Sequence, residues 1–267
     1  MSSEFASNAS GAQNTAAGQD IQRAAAGSMK RLTLELGGKS ANVVLDDADL
    51  DAAVEAIAFG AFFNQGQICM STERVIAHRS IAASLVDKLA EKARKLVAAA
   101  PAAAGAVLGA MVSAQAAQRA TALVQDARDL GATIRAGGPT DGAIMQPTIV
   151  DGVTAEMKLY AEESFAPVVT VLRVDSDDEA VRVANDSEFG LSAAVFSRDI
   201  ARAMQVARRI ESGICHINGP TVHDEAQMPF GGVKSSGYGR FGNKASIAEF
   251  TDLRWITIQT GPRHYPI

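Results

Sequence analysis

The chain has 267 residues, 47% hydrophobic and 21% charged, a balance that fits a globular protein with a sizeable core. Its net charge of −5 and the lack of a dense Lys/Arg patch argue against nucleic acid as a partner, and no apolar run approaches the roughly 20 residues of a membrane span. Its two cysteines, Cys69 and Cys215, offer neither a disulfide framework nor metal-ligand spacing, so a reducing, cytoplasmic setting is expected.

Residues 1–13 are small and polar and read as a disordered leader or an expression remnant. From Thr15, "TAAGQDIQRAAAGSMKR" predicts a helix ending near Gly27, and "LTLEL" a short strand before the loop "GGKS". A strand is expected over Asn42–Leu45, then a helix whose apolar face carries Leu50, Val54, Ile57, Ala58 and Ala61. That helix runs into the loop around Cys69. "TERVIAHRSI" gives a strand and a turn. Ile81, Leu85, Leu89 and Leu96 mark an amphipathic helix from Ile81 to about Ala99, stopped by "PAAAG". A helix over about 113–130 closes at Gly131, and short strands follow near 133–135 and 146–150.

The β-branched run 167–174 reads as a buried strand. A helix over 178–185, the strand "SAAVFS", a helix over 200–211 and the strand "ICHIN" follow. After the Gly-rich loop "MPFGGVKSSGYGRFG", "FTDLRWITIQT" reads as a terminal strand. The alternation predicts an α/β fold, a mainly parallel sheet covered by helices.

Three stretches carry chemistry. In "LELGGKS", Glu35 ends a β run before two glycines. A carboxylate there is either an edge-strand glutamate in water or, with its pKa raised by apolar surroundings, a general base near neutral pH. In "FFNQGQICMSTERV", Cys69 sits in a Gln/Gly/Asn loop. It is either a small buried hydrophobe or a nucleophile whose thiolate backbone N–H groups favour. In "AEESFAPVV", Glu162 and Glu163 precede Phe165 and Pro167, and adjacent acids by themselves usually mean a solvated helix end.

Taken in order, "LELGGKS", "FFNQGQIC", "EESFAPV", "INGP" and "MPFGGVKSSGYGR" resemble the aldehyde dehydrogenase superfamily over about residues 15–267, and the last part looks most like its aromatic-aldehyde branch. The resemblance implies oxidation of an aromatic aldehyde to an acid through a thiohemiacetal and thioester on Cys69, with Glu35 as general base. It assigns Glu163, Phe165, Leu36 and Gly37 to the nicotinamide end of an NAD or NADP site. Asn218 matches a buried asparagine that supports the active-site loop. Cys215 matches no catalytic position and is expected in the core, and the four histidines fit no nucleophile-base arrangement.

The departures from the family pattern shape the remaining expectations. Residues 14–34 read as a remnant of the cofactor-domain helix and strand, 35–243 as the catalytic domain, and 244–267 as a tail with an oligomerisation strand. Of a family Gly-Ser-Thr turn near Gln13 and Asn14, only Thr15 is kept, and Phe241 replaces a family glutamate. Little or no NAD(P) binding is therefore expected of this chain. Cofactor-independent thiol esterase activity is the expected residual activity, with a catalytically silent structural fragment as the alternative. The expected partners are a small aldehyde or ester and further copies of the same chain, without nucleic acid or membrane.

Overall fold

The computed structural model describes residues 13–100 and 102–267. The expectations for residues 1–12 and for Pro101 lie outside the described residues. Helix α1 spans Gln13–Ala25, and the short strand β1 (Leu34–Glu35) follows. Next come β2 (Ser40–Val44), α2 (Leu50–Phe62), β3 (Thr72–His78) and α3 (Arg79–Lys95). Then follow α4 (Ala114–Asp129), β4 (Thr133–Ala136), β5 (Thr148–Asp151), the single turn α5 (Lys158–Ala161) and β6 (Val168–Val174). The last third holds α6 (Asp177–Asn185), β7 (Phe189–Gly190), β8 (Ser192–Phe196), α7 (Ile200–Ala207), β9 (Ile214–Ile217), β10 (Val233–Lys234), β11 (Gly237–Tyr238) and α8 (Asn243–Phe250).

Seven strands form one sheet in the order β4-β5-β6-β3-β2-β8-β9, with β4 antiparallel to β5 and every other neighbour parallel. Strand side chains alternate between two apolar clusters, as the two-residue period requires. Ile76 of β3 and Leu172 of β6 face the cluster under α4, α6 and α7. Val75 and Val171 face the cluster under α2 and α3. Both faces are therefore covered, which is why these strands read as continuous apolar runs. Side-chain caps set the helix starts: Asp49 for α2, Ser113 for α4, Ser176 for α6 and Asp199 for α7.

Two small antiparallel pairs sit outside the main sheet, β1 with β11 and β7 with β10. Through them the Gly-rich stretch folds back onto the strand that bears Glu35. One expected element does not form. Residues 251–267 are exposed and hold no strand, and α8 occupies 243–250. An extended segment becomes a strand only when a neighbour takes its N–H and C=O groups. Within the described residues this tail has no such neighbour.

Candidate active site

The Cys69 loop is built by an abrupt end to α2. Asn64, Gln65 and Gly66 adopt left-handed φ values of 51°, 56° and 68° in succession. Only glycine fits the third position, because a Cβ there would stand 2.1 Å from the Ala166 carbonyl oxygen. The loop is then pinned from all sides. Ser71 Oγ donates to the Gly66 carbonyl at 3.0 Å, and the Val112 N–H donates to Gln67 Oε1 at 2.8 Å. Thr221, fully buried, donates to the Met70 carbonyl at 2.7 Å and shares a 2.8 Å hydrogen bond with Thr72. The thiol is thus held by a loop whose own amides and carbonyls are largely committed.

The glycine pair of "LELGGKS" brings the other site residues to this loop. A Cβ on Gly38 would stand 2.0 Å from the Cys69 carbonyl oxygen, so the two backbones touch. A Cβ on Gly37 would stand 2.9 Å from Glu163 Oε2. The Gly38 N–H donates to Glu163 Oε1 at 2.8 Å. Cys69, Glu35, Gly37 and Glu163 therefore converge on one point, reached from β1, from the end of α2 and from the turn before β6.

The electrostatics differ from one sequence expectation. Burial, then the Glu35 carboxylate, then that of Glu163 push the Cys69 thiol up to about 11, and the Cys69 and Met70 amides only partly oppose them. The backbone does not make a resting thiolate, because two carboxylates and desolvation outweigh two N–H groups. Glu35 itself is exposed, and its pKa is raised by partial desolvation, against Arg240 and with Asp224. Arg240 is fixed by hydrogen bonds to the Gly232 and Gly239 carbonyls at 2.8 and 2.7 Å.

Glu163 is 2% exposed, and burial, followed by the neighbouring Glu73, pushes it up to about 7. Its neighbour Glu162 is exposed, so the adjacent acids divide into one solvated and one buried group. Glu163 Oε2 is buried with no hydrogen-bond partner. A sugar hydroxyl is the kind of donor that fits such an atom, so the residue fits the ribose role implied for it. Phe165, half-buried with φ 48°, lies in the same turn. Leu36 lies close against α1, whose Gly18 would put a Cβ 2.7 Å from Leu36 Cδ1.

Two further placements correct or refine the sequence reading. Asn218 is exposed rather than buried and bonds Ser197, not the Cys69 loop, accepting from its N–H at 3.0 Å and donating to its carbonyl at 2.9 Å. It stands just past the edge strand β9, where no other described residue buries it. Cys215 is half-buried on β9 and packs against the core. Phe241 pairs with Phe230 through two 2.8 Å backbone hydrogen bonds.

Several functional neighbours were given no role by the sequence reading: Lys39 inside "LELGGKS", and Glu73, Arg119 and Thr221. The signal for Glu73 was a charged residue inside "TERVIAH", since a buried carboxylate in a covered strand must find partners. Beside the Cys69 loop lies an apolar cleft of about 590 Å³ lined by Phe59, Phe62, Phe63, Ile68, Val107 and Leu108. Among the described residues no cluster of His, Cys, Asp and Glu has the makings of a metal site, and no helix is long and apolar enough to cross a membrane.

A parallel sheet covered on both faces, with a thiol and two carboxylates gathered at a double glycine, defines a class: the chain belongs to the aldehyde dehydrogenase family, whose pattern matches residues 12–256. The family depends on NAD or NADP. Among its relatives is a vanillin dehydrogenase of Pseudomonas sp. (strain HR199 / DSM 7063), 63% identical over 254 residues, which cover 95% of this chain and 53% of that protein. The crystal structure of a salicylaldehyde dehydrogenase from Pseudomonas putida G7 complexed with salicylaldehyde matches at a TM-score of 0.92 and 48% identity, over 95% of this chain and 52% of that one. Glyceraldehyde-3-phosphate dehydrogenase GapN from Methanocaldococcus jannaschii DSM 2661, complexed with NADP, matches at 0.84 and 35% identity, over 89% of this chain and 51% of that one. The chain spans about half the length of these relatives.

Proposed function

We propose that this chain carries the acyl-transfer centre of an aromatic aldehyde dehydrogenase, with Cys69 as nucleophile and Glu35 as general base. The observation that carries the reading is the meeting of the Cys69 backbone with Gly38, which sets Glu35 and Glu163 to act on one thiol. The aromatic preference is supported by the apolar cleft beside Ile68, where Phe59 and Phe63 stack at 5.0 Å, and by the vanillin and salicylaldehyde dehydrogenase relatives.

Because the thiol sits near 11, the base has to act in the first step. Cys69 sulfur bonds to the carbonyl carbon while Glu35 takes the thiol proton and the carbonyl electron pair moves onto oxygen. NAD(P), when bound, supplies the acceptor for the hydride that leaves this carbon. Glu163 and Phe165 would hold its nicotinamide end, with Leu36 and Gly37 beside them. Glu35 first passes the thiol proton to solvent. Water then opens the thioester, giving its proton to Glu35 while the carbon–sulfur bond breaks with its electrons on Cys69, and Glu35 returns that proton to the thiolate as the acid leaves.

An ester needs no hydride acceptor, since its alkoxide departs with the bonding electrons. The same two residues therefore suffice for cofactor-independent ester hydrolysis, and p-nitrophenyl acetate tests them directly. Hydrolysis is expected without NAD(P), and Cys69→Ala should abolish it. Glu35→Gln should slow both the burst and the steady state by about 10²–10⁴-fold, the usual range for a general base. Hydrolysis by Cys69→Ala at the unmodified rate would remove Cys69 as the nucleophile. No hydrolysis by the unmodified chain would favour a catalytically silent structural unit.

A further inference from the structure

The side chain of Glu73 points out of β3 into the turn that carries Glu163 and Phe165, and each of its oxygens is used. Oε1 accepts from the Ser164 and Phe165 N–H groups at 2.9 and 3.0 Å. Oε2 accepts from the Ser164 N–H at 2.8 Å and from Lys39 Nζ at 2.5 Å. The side chains of Lys39 and Glu73 are 1% and 3% exposed. The carbonyl side of the same turn is gripped by Arg119, which donates to Glu163 O at 2.8 Å and Ser164 O at 3.3 Å.

The fold alone does not call for this arrangement. A buried ion pair inside a covered sheet adds little to stability over apolar residues of the same volume. Here it holds a non-glycine residue, Phe165, at φ 48°, a conformation that persists only when its surroundings enforce it. It also places one carboxylate beside another, which pushes Glu163 upward.

We propose that Glu73, clamped by Lys39, is the positioning residue for the nicotinamide end of the site: it fixes the Ser164–Phe165 backbone and so aims the Glu163 carboxyl at the ligand hydroxyl and toward Cys69. This rests on the reading of Glu163 as the ribose-binding group. Glu163 is faced by Glu73 from β3, Lys39 from the segment after β1, Arg119 from α4 and the Cys69 thiol. Of these, Glu73 raises its pKa, whereas Lys39 and Arg119 lower it.

The test is the rate of Cys69 alkylation by iodoacetamide as a function of pH, followed by mass spectrometry of the Cys69 peptide in the cofactor-free chain. Ionised Glu163 raises the thiol pKa, so the logarithm of the rate should bend near pH 7 as Glu163 loses its proton. Glu163→Gln should remove that bend. Glu73→Gln keeps an oxygen for the turn amides but removes the like charge, so the bend should move to lower pH by roughly one unit.

Glu73→Gln leaves Lys39 unpaired, so the double variant Lys39→Met, Glu73→Gln is measured beside it. The double variant should shift the bend in the same direction by less, since the lost lysine opposed the lost glutamate. An unmoved bend in the folded variants, with only the melting temperature lowered, would reduce Glu73 to a structural ion pair and overturn the proposal. The Glu35 carboxylate faces the same thiol, so the bend is read in a Glu35→Gln background. A bend that survives Glu163→Gln there would also overturn the proposal, because Glu163 would then not reach Cys69. The thiol's catalytic role is read separately, from ester hydrolysis by the unmodified chain.

Discussion

Glu163 sits in an environment that opposes its charge. Its pKa is about 7 in the folded chain against an ordinary 4.5, so folding favours its protonated form. Below about pH 4.5 the group is neutral in both folded and unfolded chains, and this preference is fully present. It is lost progressively as pH rises from about 4.5 through 7, after which the folded protein carries a buried charge. The difference is on the order of 3 kcal/mol. Glu163→Gln should therefore raise the melting temperature at pH 8.5 and leave it nearly unchanged at pH 4.5. Equal effects at the two pH values would mean that Glu163 titrates normally. Cys69 and Glu35 stand out in the sequence because each lies in a short run with glycines or glutamines where the chain must turn sharply, whereas Glu163, in "AEESFAPVV", is singled out only by the family resemblance. The pairing of Lys39 with Glu73 does not show there, because a charged residue in a strand reveals its partner only when the chain folds, here 34 positions away in the loop before β2.

At the level of elements, the strand-helix order followed from periodicity, since β-branched runs and amphipathic faces report burial directly. Element ends shifted by a few residues: α7 stops at Ala207, where the sequence pattern continued to 211. What periodicity could not show is how closely two loops approach. The reason for two glycines after Glu35 appears only in three dimensions, where Gly38 touches the Cys69 carbonyl. Gly38→Ala tests this contact, because its neighbour is backbone and cannot swing aside. A shift of the Cys69 loop by about 1 Å is expected to cost on the order of 10²-fold in ester hydrolysis. The secondary structure should be preserved, since the main sheet lies outside the contact. An unmodified kcat in the Gly38→Ala variant would show that the loops separate without moving the thiol.

The whole molecule leaves one segment without a place in its own fold. Leu253, Trp255 and Ile258 are 103%, 90% and 84% exposed, in a tail whose sequence alternates like a strand yet pairs with no strand in the described residues, while Arg31 ties its start to the body of the fold through Thr251 and Asp252. The strand expected from the sequence does not form, because β-propensity without a neighbour is unspent. Such a segment offers both free backbone groups and apolar side chains to a second copy. Self-association through residues 251–267 is therefore the expected behaviour. Trp255 is the chain's single tryptophan, so its emission reports this segment alone. The emission maximum should move to shorter wavelength as concentration rises through the micromolar range, in step with an increase in mass by light scattering. Deletion of residues 251–267 should lower the mass toward that of one chain while leaving Cys69-dependent ester hydrolysis intact. A monomeric mass together with a concentration-independent Trp255 maximum would show that the tail stays solvated, and self-association through this edge would then be excluded.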